Sequence, residues 1–246
     1  MNTPGTSSGT LSKLVGRYEV AERTMAFRFE KPPGWTFQAG QFLDLTLVAP
    51  SETDAEGDSR AFSIASGPQE DTLMVATRLR DTAFKRVLQT VPLGTAVKLA
   101  GPSGTLTLHP DVTRAAVFLA GGIGITPFRS MLLRAAQAHL PQRIVLFYSN
   151  RRPEDAPFLD ELQALGATNP YFTLIASMTE MGKSQRPWHG ETGQINASML
   201  ARYLKNAGAP IYYIAGPPGM VKGLHAMVRA AGVDKADIRA EEFGGY

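Results

Sequence analysis

The 246-residue sequence contains no cysteine. Disulfides, thiolate zinc sites, nucleophilic cysteines and cysteine-ligated iron–sulfur clusters are therefore excluded for this chain. No apolar run approaches the roughly 18 residues that a membrane helix requires, so no membrane association is expected. An excess of one charge is also missing: 25 Lys and Arg stand against 22 Asp and Glu, for a net charge of +3. The basic residues are spread out rather than blocked, which speaks against nucleic acid as a partner. His109, His139, His189 and His225 are the four histidines. They show no metal-ligand spacing and read as surface or capping residues, so no metal is expected. There are no internal repeats. The opening stretch MNTPGTSSGTLSK carries no apolar segment, so it does not read as a signal peptide. Its composition predicts a frayed tail over residues 1–10 and points to the cytoplasm.

What is present centres on Ala120-Gly121-Gly122-Ile123-Gly124-Ile125-Thr126-Pro127. The apolar run Ala115 to Leu119 before it suits a buried strand, and Phe128, Met131, Leu132 and Ala135 after it recur at helical spacing. The order is strand, glycine turn, helix. Glycines let a ligand approach the backbone, and free N–H groups at a helix start favour a pyrophosphate. The other reading of the turn is a tight corner without a ligand.

Residues 11–110 otherwise read as β. Alternating runs such as Met25–Phe29, Phe42–Val48, Leu73–Thr77 and Ala96–Leu99 are separated by Gly- and Pro-rich turns, the pattern of a barrel or sandwich. One helix is expected over Thr82–Gln89, and the acidic stretch Ser51–Ser59 reads as a mobile loop. Residues 111–246 alternate strand and helix, which implies a parallel sheet covered on both faces. Strands are expected at Arg143–Tyr148, Tyr171–Ala176 and Ile211–Ile214, with a short last one from Ile238. Helices are expected over Phe158–Leu165, Ala197–Ala207 and Pro217–Ala231. The fold class is thus two-domain, β followed by α/β, and the 43% apolar share suffices for two cores.

Four further segments carry chemistry. In Arg60-Ala61-Phe62-Ser63, strand alternation puts Arg60 and Phe62 on one face and Ser63 on the other. That set suits a flat phosphorylated ligand, or is a surface Arg beside a core Phe. Gly101-Pro102-Ser103-Gly104 in isolation reads as a hairpin turn. Thr82 is either an ordinary helix N-cap or a hydroxyl for a phosphate. Ala215-Gly216-Pro217-Pro218-Gly219-Met220 is a second glycine turn between a strand and a helix, at the strand end where such sheets bind ligands. Trp35 and Trp188 read as packing residues.

Together these segments resemble the ferredoxin–NADP reductase superfamily of flavoproteins, from about residue 13 to the C-terminus. Arg60 to Ser63 is similar to its Arg-x-Tyr-Ser flavin motif, Gly101 to Gly104 to its Gly-Pro-x-Gly turn. Gly121 to Pro127 resembles its nucleotide loop, and Ala215 to Met220 its Cys/Ala-Gly-Pro-Pro-Gly-Met segment. The resemblance implies an antiparallel Greek-key β-barrel that binds FAD, followed by a doubly wound domain that binds NADP or NAD. Arg60 and Thr82 would hold the FAD pyrophosphate, Phe62 would pack on the isoalloxazine, and Ser63 would reach towards flavin N5. Ala61, Arg78, Gly101 and Gly104 complete the implied flavin set. Gly121, Gly122, Gly124, Thr126, Gly216, Pro217 and Met220 would take the nicotinamide, with Ser149 and Arg151 beyond them. A helix terminus supplies only about 0.3–1 kcal/mol, whereas a micromolar ligand requires about 8 kcal/mol, so these groups must act jointly.

Phe62 stands where Tyr is usual, and Ala215 where many members carry Cys. The C-terminal Glu241-Glu242-Phe243-Gly244-Gly245-Tyr246 is either a frayed tail or a cover for the flavin. In the second reading Phe243 or Tyr246 is the cover, and Glu241 or Glu242 supplies a proton or meets the partner. The loop Ser177–Arg186 lacks the Ser-Arg pair of NADP-type members; Lys183, Ser184 and Arg186 would substitute, while Glu180 would favour a free ribose diol and NADH. The implied activity is hydride transfer from NAD(P)H to the flavin by a monomer. Electrons would pass to a ferredoxin, flavodoxin, haem protein or oxygenase component. A flavin or quinone reductase and a non-catalytic nucleotide-binding module are the alternatives.

Overall fold

The computed structural model describes residues 9–244. The expected tail falls mostly outside the described residues, as does Tyr246. Thr10 already belongs to the first strand.

The N-terminal sheet is antiparallel and contains β1 (Thr10–Ala21), β2 (Thr24–Glu30), β3 (Phe42–Leu47), β4 (Ser59–Ser63), β5 (Thr72–Arg78) and β6 (Ala96–Ser103). Its order is β4-β3-β6-β1-β2-β5. Alternation drives the strands: in β3, Leu43, Leu45 and Leu47 point inward while Phe42, Asp44 and Thr46 are less buried. The two edges meet just past β4, where the Ala65 N–H donates to the Met74 carbonyl of β5 at 2.7 Å and closes the sheet towards a barrel. Phe27, Phe29, Leu45, Ile64, Val75 and Leu99 fill the interior. Helix α1 (Ala83–Thr90) plugs one end with Phe84, Val87 and Leu88. Gly101 to Ser103 is no hairpin. These residues extend β6, and Ser103 pairs with Phe42 across an irregular step in the β3 ladder.

The second sheet is wholly parallel, in the order β10-β9-β8-β7-β11-β12. Its strands are β7 (Ala116–Gly121), β8 (Ile144–Asn150), β9 (Phe172–Met178), β10 (Glu191–Thr192), β11 (Ile211–Gly216) and β12 (Ile238–Glu242). Helices α2 (Ile125–Gln137) and α3 (Leu159–Thr168) contribute to the core on one face of the sheet. Helices α4 (Ala197–Tyr203) and α5 (Pro218–Ala230) contribute to the core on the other. Covered on both faces, β7 and β11 are buried at every position and read as continuous apolar runs. The strand order reverses between β7 and β11, so the crevice at their C-terminal ends is the topological switch point. Both glycine turns lie there. A Cβ on Gly124 would collide with the Ala215 carbonyl, so glycine lets the two turns touch. Phe118 of β7 stacks on Phe128 of α2 at 4.6 Å, an aromatic pair of about 0.5–1.5 kcal/mol that sets the angle of the helix after the turn.

The two sheets are joined by buried polar bonds from α2. Arg129 is only 6% exposed, and its Nη1 donates to the Ala65 carbonyl at 2.6 Å. Its Nε and Nη2 form a fork on Glu161 of α3 at 2.9 and 2.8 Å. The guanidinium also lies over Phe158, whose left-handed backbone (φ 61°) starts α3. Ser130 donates its hydroxyl to the Ser66 carbonyl at 2.6 Å. On the other side of the junction the Glu22 N–H donates to the Glu154 carbonyl at 2.8 Å, and the Glu22 carboxylate pairs with Arg152. Among the described residues no helix is long and apolar enough to cross a membrane.

Arg129→Ala should lower unfolding stability by about 2–3 kcal/mol, because it leaves the buried Ala65 carbonyl without its donor and strips Glu161 of its partner. Urea denaturation of the full chain checks this; a loss under about 0.5 kcal/mol would show that the clamp is dispensable.

Candidate functional site

A cavity of about 420 Å³ opens where the barrel faces the switch point of the parallel sheet. The barrel supplies Arg60 to Ser63 from β4, Ala76 to Arg78 from β5, and Thr82 and Lys85 from α1. The second sheet supplies Ile123 and Thr126 from the first glycine turn, with Phe243 and Gly244 just past β12. Barrel closure brings β4 beside β5, and the Arg129 and Ser130 bonds hold the glycine turn opposite them. The cleft is therefore a product of both cores.

Strand alternation works as expected in β4: Phe62 packs towards Phe84 with ring centroids 5.9 Å apart, and Ser63 is 4% exposed. Ser63 Oγ is buried without a hydrogen-bond partner among the described residues, at a cavity wall. Burying a hydroxyl unpaired is costly, so this oxygen is a polar group at the cavity wall with its hydrogen-bonding capacity unused among the described residues.

The walls are strongly basic. Arg60, Arg78, Arg80 and Lys85 line the cavity, against the single carboxylate of Glu56. Burial, reinforced by Arg80 and Arg60, pushes the Lys85 ammonium down to about 8, and its Nζ donates to the Arg78 carbonyl at 2.8 Å. Burial also pulls the Arg78 guanidinium down, with Arg151 as the next cause. Thr82 caps α1 by accepting from the Lys85 N–H at 3.4 Å, so the ordinary N-cap role is present.

The acidic stretch 51–59 is the irregular, largely exposed loop between β3 and β4, and ion pairs tie it to the cavity wall. Asp54 pairs with Arg60 at 3.0 Å, Glu56 with the same guanidinium at 3.1 Å, and Glu52 with Arg86 at 2.6 Å. Arg60 Nη1 donates in addition to the carbonyls of Glu56, Gly57 and Ser59.

Not every predicted residue reaches this cavity. Arg60, Ala61, Phe62, Ser63, Arg78, Thr82, Thr126 and Phe243 line it. Gly121, Gly122, Gly124, Gly216, Pro217 and Met220 are not in its lining; they form the adjoining crevice, where a Cβ on Gly121 would strike Met220 Sδ and Pro217. The Thr126 hydroxyl is used locally, donating to the Ile123 carbonyl at 3.0 Å. Ser149 pairs in register with Gly121 and Ser177, and Arg151 follows β8, all at the same C-terminal rim. Gly101 and Gly104 lie outside the lining, where Gly104 closes on the Phe42 ring. Lys183 is held by Glu180 at 2.7 Å and Arg186 by Asp160 at 2.9 Å, both outside the cavity. Ser177 is buried and donates to the Gly193 carbonyl at 2.6 Å.

Glu241 and Glu242 are no frayed tail, since β12 pairs them with Ala215 and Gly216. The same register carries Phe243 to the cavity, with its N–H on the Gly216 carbonyl at 3.0 Å. Burial pushes the Glu241 carboxyl up, whereas Glu242 is exposed. His109 is the clearest departure from the surface reading. It is 4% exposed, and both its N–H and its Nδ1 meet the Tyr213 hydroxyl at 2.8 Å. Among the described residues no group of three His, Cys, Asp or Glu is placed to hold a metal.

Lys85, Arg80 and Ile123 went unassigned in the sequence. Lys85 lies one helical turn past Thr82, a spacing that could have found it. Ile123 sits inside the glycine motif itself.

Residues 118–226 match the family described as oxidoreductase NAD-binding domain. The chain is 28% identical over 243 residues to ferredoxin–NADP reductase B of Sorangium cellulosum, spanning 94% of this chain and 96% of that one. It is 30% identical over 203 residues to one component of the Na(+)-translocating NADH-quinone reductase of Methylococcus capsulatus, spanning 76% of this chain and about half (49%) of that one. Its fold superposes with a TM-score of 0.82 on the FAD/NAD-binding domain of nitric oxide dioxygenase from Vibrio cholerae, at 19% identity and 96% and 99% coverage. The TM-score is 0.75 to a ferredoxin NADP+ reductase from Neisseria gonorrhoeae solved with FAD and NADP, at 23% identity and 95% and 98% coverage.

Anion binding at the basic walls should weaken as pH rises through about 8, because Lys85 is cationic below that value and neutral above it. Calorimetric titration of inorganic pyrophosphate should give tighter binding at pH 7 than at pH 9.5. Lys85→Gln should bind weakly at both, and an undiminished pH step in that variant would assign the titration to another group.

Proposed function

Because the chain belongs to the ferredoxin–NADP reductase superfamily, we propose that it is an FAD-dependent NAD(P)H oxidoreductase that hands electrons to a separate acceptor. The observation that carries this reading is the unpaired Ser63 hydroxyl, buried in a basic, two-domain cavity at the switch point of a parallel sheet. A flat ring with a polar edge and an anionic diphosphate fits that donor set.

FAD held here would supply a hydride acceptor for the reduced nicotinamide and a donor of electrons to the acceptor. The protein's part is placement. Arg60 and the first N–H of α1 bind the diphosphate, where guanidinium and helix terminus act together. Phe62 gives the ring an apolar wall, and Ser63 offers its hydroxyl to the ring edge. Ile123 and Thr126, which line the cavity, would form the floor under a bound nicotinamide. Phe243 closes the cavity from the side of β12, and Glu242 beside it is exposed for the acceptor. Exclusion of water follows from the depth of Ser63 and the apolar contacts of Phe62 and Phe243.

The acceptor is a redox protein in this reading, of the ferredoxin, flavodoxin or oxygenase class. Glycine betaine monooxygenase reductase of Chromohalobacter salexigens (26% identical, this chain spanning 60% of it) and terephthalate 1,2-dioxygenase reductase of Comamonas (26%, spanning 59%) support that class. These 246 residues contain no cysteine, so they provide no thiolate ligand for an iron–sulfur centre.

The purified protein should carry or take up FAD, and NADH or NADPH should bleach it anaerobically. A protein that cannot bind FAD would sink the proposal. Ser63→Ala should slow hydride transfer about tenfold in stopped flow, the worth of one hydrogen bond. Its FAD affinity should change far less.

A further inference from the structure

Asp54 sits where the proposed cofactor's most charged part belongs. Its Oδ1 accepts from Arg60 Nη2 at 3.0 Å and from the Glu56 N–H at 3.0 Å. Its Oδ2 accepts from the Ala83 N–H at 3.2 Å, the first residue of α1. One carboxylate thus spans a guanidinium and a helix N-terminus, the donor pair that recognises a phosphate group. We propose that Asp54 is an internal stand-in for the diphosphate, which FAD must displace from Arg60 and the α1 N-terminus in order to bind. The inference rests on the flavin reading above and adds a competitor to it.

Several features fit an occupant that leaves rather than a fixed support. Asp54 lies in the irregular connection between β3 and β4, not in a strand. The loop folds back through its own short turn, with the Gly57 N–H on the Asp54 carbonyl at 2.9 Å. Arg60 Nη1 also holds the loop carbonyls of Glu56, Gly57 and Ser59, and the other side-chain holds are on the surface: Glu56 is 73% exposed on Arg60, and Glu52 pairs with the half-exposed Arg86. Such pairs are weak and exchangeable. Burial tends to raise the Asp54 carboxyl, yet the Glu56 N–H and Arg60 outweigh it and hold the group ionised. An ionised Asp54 and a diphosphate cannot share one cradle without repulsion. The alternative role, a fixed carboxylate that orients Arg60 for the cofactor, predicts the opposite sign on mutation.

The test is the Kd for FAD of the full chain, stripped and reloaded, read by flavin fluorescence. Asp54→Asn keeps the shape and removes the charge. It should tighten FAD binding by about five- to tenfold, with faster association, and tighten inorganic pyrophosphate binding by a similar factor. Glu56→Gln, which removes only the outer partner, should do the same by a smaller factor and stands in if Asp54→Asn does not fold. Unchanged or weaker binding of both probes overturns the inference and makes Asp54 a positioning residue. If the wild type binds pyrophosphate but no FAD, the flavin reading fails, while the pyrophosphate comparison still decides whether Asp54 competes.

Discussion

Arg129 is the contact on which the arrangement depends. It projects from the helix that follows the first glycine turn, crosses to the barrel and binds a backbone carbonyl two residues beyond Ser63. With the Ser130–Ser66 bond from the same helix, it fixes the distance between Ser63 and the glycine turn. A guanidinium suits the task because its planar fork satisfies Glu161 and Ala65 at once and still stacks on Phe158. The polar junction makes position specific where apolar surfaces alone would slide.

The cavity balances two electrostatic demands. Its basic walls suit an anionic ligand, yet the four neighbouring cations Arg60, Arg78, Arg80 and Lys85 repel one another. The acidic loop relieves this at Arg60, and the lowered Lys85 relieves it by giving up its proton more easily. Charge in the β3–β4 loop is thus tied to charge in the cleft, since Asp54 and Glu56 both reach Arg60 at the start of β4.

Much of the fold was legible because it rests on local rules. Continuous apolar runs marked β7 and β11, alternation marked β3, and each glycine turn stood between a strand and a helix. Arg60, Phe62 and Ser63 were legible because strand alternation assigns their faces. What was not legible depends on distant partners. His109 reads as a surface residue until Tyr213, 104 positions away, supplies its hydrogen bond. Pro102 and its glycines look like a turn because Pro is rare within strands; the irregular β3–β6 ladder accommodates them. Glu241 and Glu242 look like a tail because nothing local shows that β11 has an open edge awaiting them.

That last pairing bears on the order of assembly. β12 is made after every other wall of the cavity, and Phe243 reaches its place only when β12 has docked on β11. A chain growing from its N-terminus can bury the barrel core and most of the parallel sheet while the cleft still lacks one side. Maturation of the cavity therefore trails the synthesis of both cores, and a ribosome stalled before β12 would carry two nearly finished cores around an unfinished cleft.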